Sequence, residues 1–212
     1  MNAQTRREIM ERLKNERPEP ESELDHKNPF ELLIAVMLSA QATDKSVNLA
    51  TPGLFAAMPD AATMAGKTPE EVETYIKTIG LYRNKAKHAV GIAKALMERF
   101  GGQVPDDLEE LVSLPGVGRK TAKVVLNVAF GKPYIPVDTH IFRVCARTSL
   151  VKAKTADECS DKLEKALPKE YLGNAHHWIL LHGRYCCTAR KPHCAECPIA
   201  DLCAWPEKEQ QT

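Results

Sequence analysis

Four cysteines late in the chain, Cys187, Cys194, Cys197 and Cys203, follow the spacing C-x6-C-x2-C-x5-C. Four thiolates so close together can enclose one metal centre and leave no coordination position open for chemistry. Four-cysteine zinc sites usually pair two short knuckles. Here only Cys194 and Cys197 form one, so the spacing favours a [4Fe–4S] cluster, with zinc as the alternative. A second group lies upstream. Leu114-Pro115-Gly116-Val117-Gly118-Arg119-Lys120 is a Gly-x-Gly turn entering a helix with a lysine at its mouth, and Asp138 opens the helix after it. The glycines flanking Val117 allow a tight turn whose N–H groups can face an anion, and the free amides of the helix start add to that nest. Arg119, Lys120 and Lys123 oppose the helix dipole by about 0.3–1 kcal/mol each at exposed sites, which makes sense where an anion sits nearby. The dipole, neighbouring cations and partial burial favour the neutral amine of Lys120. A neutral amine can attack a sugar carbon and form a Schiff base. Asp138 reads first as an N-cap worth about 1 kcal/mol. Its carboxylate could also deprotonate an attacking amine or stabilise positive charge developing at a sugar.

Nearly every segment that must position these groups reads as helix. Ile9 and Leu13 share a face of a charged N-terminal helix ended by Pro18 and Pro20. Asn28 and Pro29 cap Phe30–Ala40, which is apolar on most sides and therefore the buried centre of a helical domain. A helix from Asp44 is expected to break or kink at Pro52-Gly53. Thr68-Pro69-Glu70-Glu71 starts another, with Gly80 as the residue after its end. Residues 83–100 form an amphipathic helix ended by Gly101-Gly102. Asp106–Ser113 and Gly118–Phe130 flank the Gly-x-Gly turn, and helices from Asp138, Thr155 and Asn174 follow. Helix, Gly-x-Gly turn and helix match the helix-hairpin-helix way of holding a DNA phosphate without reading sequence; an ordinary corner between two helices is the plainer alternative. No segment alternates with period two, so the fold class is all-α. One domain is expected over 22–132, and a second from 133–212 completed by residues 1–21.

At 212 residues, 43% hydrophobic and 27% charged, the chain is an ordinary globular protein. Its net charge of +1 is unevenly spread. Arg119, Lys120, Lys123, Lys132, Arg143, Arg147, Lys152 and Lys154 fall in a stretch whose only acid is Asp138, which suits a polyanion bound on one face. Solvated helix faces are the alternative. The N-terminus lacks an apolar signal core, and the longest apolar run, Leu32–Leu38, is too short for a bilayer. A cytosolic protein is expected. Seven cysteines, four of them bunched, argue against a disulfide framework. Cys145 and Cys159 fall within helices and read as buried apolar residues. Cys186 adjoins a ligand with its side chain expected to point elsewhere. The tract His176–His182 reads as a packed helix rather than a metal site.

Taken together, these residues resemble the endonuclease III family, bifunctional DNA glycosylases and apurinic/apyrimidinic lyases of base-excision repair. The carriers are Leu38–Asp44, Ile79–Tyr82, Leu114–Ala122, Val137–Val144 and the cysteine tail, spread over essentially the whole chain. The resemblance implies a six-helix barrel domain containing the helix-hairpin-helix, a [4Fe–4S] cluster domain containing both chain ends, and DNA bound in the cleft between them. It implies that a damaged pyrimidine is flipped out of the duplex. Lys120 would then attack C1′, and β-elimination would cut the strand 3′ to the lesion, with Asp138 assisting. It makes Gln41 the residue that fills the vacated stack and Leu81 the wedge on the opposite strand. Gly116, Val117, Gly118, Arg119, His140, Arg190 and Lys191 would contact DNA. It further implies a nucleoid-associated monomer with no membrane partner, acting on double-stranded DNA that carries damaged pyrimidines or abasic sites. The rival readings are a non-catalytic iron–sulfur DNA-binding or redox protein, and a zinc-stabilised helical adaptor.

Overall fold

Short polar side chains mark where most of the helices begin. In a computed structural model that describes residues 1–211, with side chains through Lys208, Asn2 caps α1 (Ala3–Glu16) and Asn28 caps α2 (Pro29–Leu38). Thr43 caps α3 (Asp44–Ala57) and Asp60 caps α4 (Ala61–Ala65). Thr68 and Glu71 form a full capping box on α5 (Pro69–Ile76). α6 (Tyr82–Phe100) ends at Gly101, whose φ of 58° is the left-handed stop that glycine supplies cheaply. Asp107 caps α7 (Leu108–Val112), which precedes α8 (Arg119–Phe130). Asp138, Thr155 and Tyr171 precede α9 (Thr139–Thr148), α10 (Ala156–Ala166) and α11 (Leu172–Tyr185). Among the described residues there is no β-strand, and no helix is long and apolar enough to cross a membrane.

The chain divides into two compact units. The first to close in sequence is Ser22–Phe130. Its centre is α2, buried from Phe30 through Leu38, with α3, α6 and α8 packed around it. Each fully buried Leu or Ile there contributes about 1.5–3 kcal/mol. Even Glu31 is buried, because its carboxylate accepts the Lys27 N–H at 2.7 Å. The second unit joins Met1–Glu21 to Gly131–Thr212. There Ile9, Met10 and Leu13 of α1 enter a core with Ile141, Val144, Leu163 and Ile179. Polar ties reinforce the join: Trp178 Nε1 donates to the Arg17 carbonyl at 2.8 Å, and Arg12 pairs with Asp201 at 2.6 Å.

Three elements differ from the sequence reading. α3 continues through Pro52 without a break. An internal proline costs about 3 kcal/mol, and the burial of Val47, Ala50, Thr51, Leu54 and Phe55 around it offsets that cost. α4 has no counterpart in the sequence reading, since five residues give too little periodicity to read. α5 stops at Ile76, and the left-handed residue in the following turn is Leu81 at φ 60°, with Gly80 outside the positive-φ region.

Candidate active site and metal centre

The hairpin between α7 and α8 is built on one glycine. Gly116 has φ 71°, and a Cβ there would stand 2.6 Å from His88 Cγ and 3.0 Å from its Cβ. Both the backbone conformation and the space exclude a side chain. Gly118 is not in the positive-φ region, but a Cβ on it would meet nothing within 4 Å, so its backbone borders open space. Val117 and Leu114 turn inward and anchor the turn, with Val117 N–H bonded to the Leu114 carbonyl at 3.2 Å. Pro115 packs on α6, 3.3 Å from the Cβ position of Gly91. Arg119 and Lys120 then emerge exposed at the start of α8. The partial burial expected of Lys120 is absent. Lys123, also expected on the basic face, is buried at 3% exposure. It lies one turn further along, on the side of α8 that carries Ala122, Val125 and Leu126 into the core.

Two segments of the same unit lie side by side. The Gln41 carbonyl is 3.9 Å from the Cβ position of Gly80. Gln41 has φ 55° and Leu81 φ 60°, and both side chains are exposed, Leu81 by 59%. A left-handed conformation in a non-glycine residue costs about 1–2 kcal/mol, so both positions carry backbone strain at exposed residues. One turn beyond Leu81 lies Lys85, a residue the sequence reading passed over. Its Nζ is buried and has no hydrogen-bond partner among the described residues, and burial pushes its pKa down.

In the other unit, Asp138 Oδ1 accepts the Ile141 N–H at 2.8 Å and leaves the carboxylate half-buried at the head of α9. His140 sits where α9 crosses α11. A Cβ on Gly183 would stand 3.0 Å from both the His140 Cβ and its carbonyl oxygen. Arg143 Nη2 lies 3.2 Å from His140 Nδ1 and donates to the Gly183 carbonyl at 2.7 Å.

Cys187, Cys194, Cys197 and Cys203 all line one open cavity, with Arg147, Pro192, Ile199 and Trp205 completing its wall. Burial, then the neighbouring thiols of Cys197, Cys187 and Cys203, push the Cys194 thiol up. Burial likewise raises Cys203. Ionisation is thus opposed at Cys194 and Cys203, and a bound cation would offset that cost. Four soft sulfur donors at one cavity fit an iron–sulfur cluster. The loop that follows α11 is held from α9. Arg143 Nε donates to the Cys187 carbonyl at 3.0 Å. Arg147 reaches Thr188 O at 2.7 Å, Ala189 O at 3.0 Å and Cys187 Sγ at 3.4 Å, with its guanidinium 4.1 Å from the Trp205 ring centre. Two cations assigned to the polyanion face therefore build the metal loop. Arg190 and Lys191 remain exposed at its tip.

One expectation at the cavity is corrected. Cys186 does not point away: it lines the cavity, and its thiol hydrogen-bonds Cys197, the chief reason the Cys197 thiol is lowered to about 4. His182 lies in a packed helix, as expected, and reaches the same sulfur, with Nε2 3.8 Å from Cys197 Sγ. The i, i+4 spacing of His182 and Cys186 was a legible signal, since it puts both side chains on one helix face. Cys145 and Cys159 are buried, as expected.

Comparison with known proteins covers both units. The HhH-GPD superfamily base excision DNA repair protein family matches residues 34–169, and the iron–sulfur binding domain of endonuclease III matches residues 187–203. Endonuclease III of Escherichia coli strain K12 is 53% identical over 98% of this chain and 99% of its own. The Bacillus subtilis strain 168 enzyme is 47% identical over 92% and 89%. Among solved structures, a non-covalent endonuclease III–DNA complex is 41% identical, with TM-score 0.93 and full coverage of both chains. A trapped endonuclease III–DNA covalent intermediate is 42% identical, with TM-score 0.92 over 100% and 99%.

Proposed function

This chain belongs to the endonuclease III family, a base-excision-repair DNA glycosylase and AP lyase carrying an iron–sulfur cluster, and from that premise we propose that Lys120 is its nucleophile and Asp138 its acid–base partner. The observation that carries the reading is the placement of Lys120, exposed on the first turn of α8 directly after a hairpin whose Gly116 admits no side chain. The hairpin amides and Arg119 hold a phosphate, which brings the adjoining sugar to the amine. The Lys120 amine attacks C1′ of a flipped, oxidised pyrimidine nucleotide, the glycosidic C1′–N bond breaks, and the base leaves with its electron pair. The sugar ring then opens as the C1′–O4′ bond breaks and O4′ takes a proton, and the iminium so formed acidifies C2′–H. Loss of that proton expels the 3′ phosphate and leaves the strand cut 3′ to the lesion. The Asp138 carboxylate takes the proton from the attacking amine and stabilises the charge that develops at the sugar.

Gln41 and Leu81 occupy the gap left in the duplex, which requires exposed side chains on stiff backbone. Arg190 and Lys191 add phosphate contacts from the cluster loop. Cys187, Cys194, Cys197 and Cys203 hold the cluster, which has no open ligand position and serves to fix that loop. The 22–132 region acts as the hairpin domain and the remainder as the cluster domain. The protein acts as a monomer on duplex DNA of the nucleoid, at damaged pyrimidines and abasic sites.

Borohydride reduction during incubation with duplex containing an abasic site or thymine glycol tests the assignment. The expected result is a covalent protein–DNA adduct that Lys120→Gln abolishes while duplex binding persists. An adduct of undiminished yield in Lys120→Gln, or none with cluster-replete wild-type protein, overturns it.

A further inference from the structure

Around Cys197 the cavity holds more donors than a four-cysteine cluster needs. Cys186 Sγ, Cys197 Sγ and a ring nitrogen of His182 all lie within 4.8 Å of one another, and the His182 Nε2 to Cys197 Sγ separation is 3.8 Å. His182 and Cys186 are one helical turn apart at the end of α11, fixed by the Cys186 N–H to His182 carbonyl bond at 2.9 Å. Donors around a single tetrahedral zinc ion stand about 3.6–3.8 Å apart, given bond lengths of about 2.0–2.1 Å to nitrogen and 2.3 Å to sulfur. A four-iron cube stands between its ligands and spreads them wider, so it cannot use this trio. The His182–Cys197 separation matches one ion, and the third donor lies within a small side-chain adjustment of it.

The environment agrees. His182 is 95% buried (5% exposed), and its Nδ1 has no hydrogen-bond partner, so the ring's polar contact among the described residues is directed at the thiols. The cavity is partly open to solvent and Cys186 in its lining is half-buried, so an ion can reach it. Two thiolates with an imidazole form a donor set suited to zinc.

We propose that His182, Cys186 and Cys197 form a site for a single thiophilic divalent cation of the Zn2+ type, mutually exclusive with the iron–sulfur cluster because both require Cys197. Both sulfurs coordinate as thiolates, the proton shared between them being released, and the neutral imidazole and a water complete four ligands. The site is a competing metal state of the same loop, in which the other three cluster cysteines are left as thiols.

The test uses full-length protein purified from cells grown in iron-replete or zinc-enriched medium. Metals are counted by mass spectrometry, and the cluster by its visible absorption. Wild-type protein from zinc-enriched cells should approach one zinc per chain with a matching loss of cluster. Cys186→Ala should keep wild-type cluster content in iron-replete cells yet carry about tenfold less zinc in zinc-enriched ones, since it loses one of the three protein ligands. His182→Gln should behave alike, and zinc-edge X-ray absorption of the wild type should report two sulfur ligands and one imidazole. The proposal is overturned if wild-type protein takes up no zinc, if Cys186→Ala takes up as much as wild type, or if the zinc ligands are four sulfurs. Loss of the cluster from Cys186→Ala in iron-replete cells also overturns it, because Cys186 would then be a cluster ligand.

Discussion

At the scale of single residues, close approaches decide which positions tolerate change. Gly183 lets α11 pass so near α9 that an added Cβ would press on the His140 backbone at 3.0 Å. Backbone cannot move aside as a side-chain tip can, so Gly183→Ala is expected to lower stability by about 1–3 kcal/mol. Gly173, at the start of the same helix, faces open space, and alanine there should stabilise by about 0.4–1 kcal/mol. Thermal melts of the two variants check the pair: equal shifts would show that the crossing does not need its glycine. The sequence carried no sign of this difference, since both are glycines inside one helical stretch. Nor did it forecast the left-handed backbone of Gln41 and Leu81, which appears only once segments around residues 41 and 80 lie together. The turn before Lys120 and the N-cap at Asp138 were legible, because both are local chemistry.

At the scale of elements, α9 serves two ends. Its first residue is capped by Asp138, and its far face sends Arg143 and Arg147 into the loop after α11. The sequence reading counted these arginines toward a face for DNA; their spacing of four residues was equally a sign of one shared inward task. Arg147 ties three groups of the cysteine loop and stacks on Trp205. Removing it as Arg147→Ala should cost roughly 2–4 kcal/mol, from lost charge-assisted hydrogen bonds and the cation–π contact. The loop would loosen before the helices do, so iron content and visible absorption should fall while far-ultraviolet helicity persists. Full iron retention in Arg147→Ala would show that the loop is held by its cysteines alone. α3 teaches the reverse lesson about local rules. Pro52 forecast a break or a kink; the helix does not break there, and burial on the face around Val47 and Leu54 keeps it continuous.

At the scale of the whole molecule, buried ionisable groups tie stability to pH. His177 on α11 is buried, and desolvation pushes its pKa below the usual histidine value. The unfolded chain therefore takes up that proton first as pH falls. Its contribution is fully present above about pH 6.5, the ordinary histidine value, and is lost as pH drops through that value toward the lower folded one. The melting temperature of wild-type protein should decline between about pH 7 and pH 5, and His177→Gln should flatten that decline. Parallel pH profiles for the two would remove His177 as the source. The sequence by itself determined the all-α class, most of the helix starts and the cysteine spacing, and it supplied the candidates for nucleophile and acid–base work. Each rests on propensity, capping or a short motif, which act over a few neighbouring positions. Only the tertiary structure decided which cations are buried and which exposed, that Lys123 faces inward and Lys120 outward, and that Cys186 and His182 join Cys197 at one cavity. Those outcomes depend on which helix face meets another helix, and distant packing sets that.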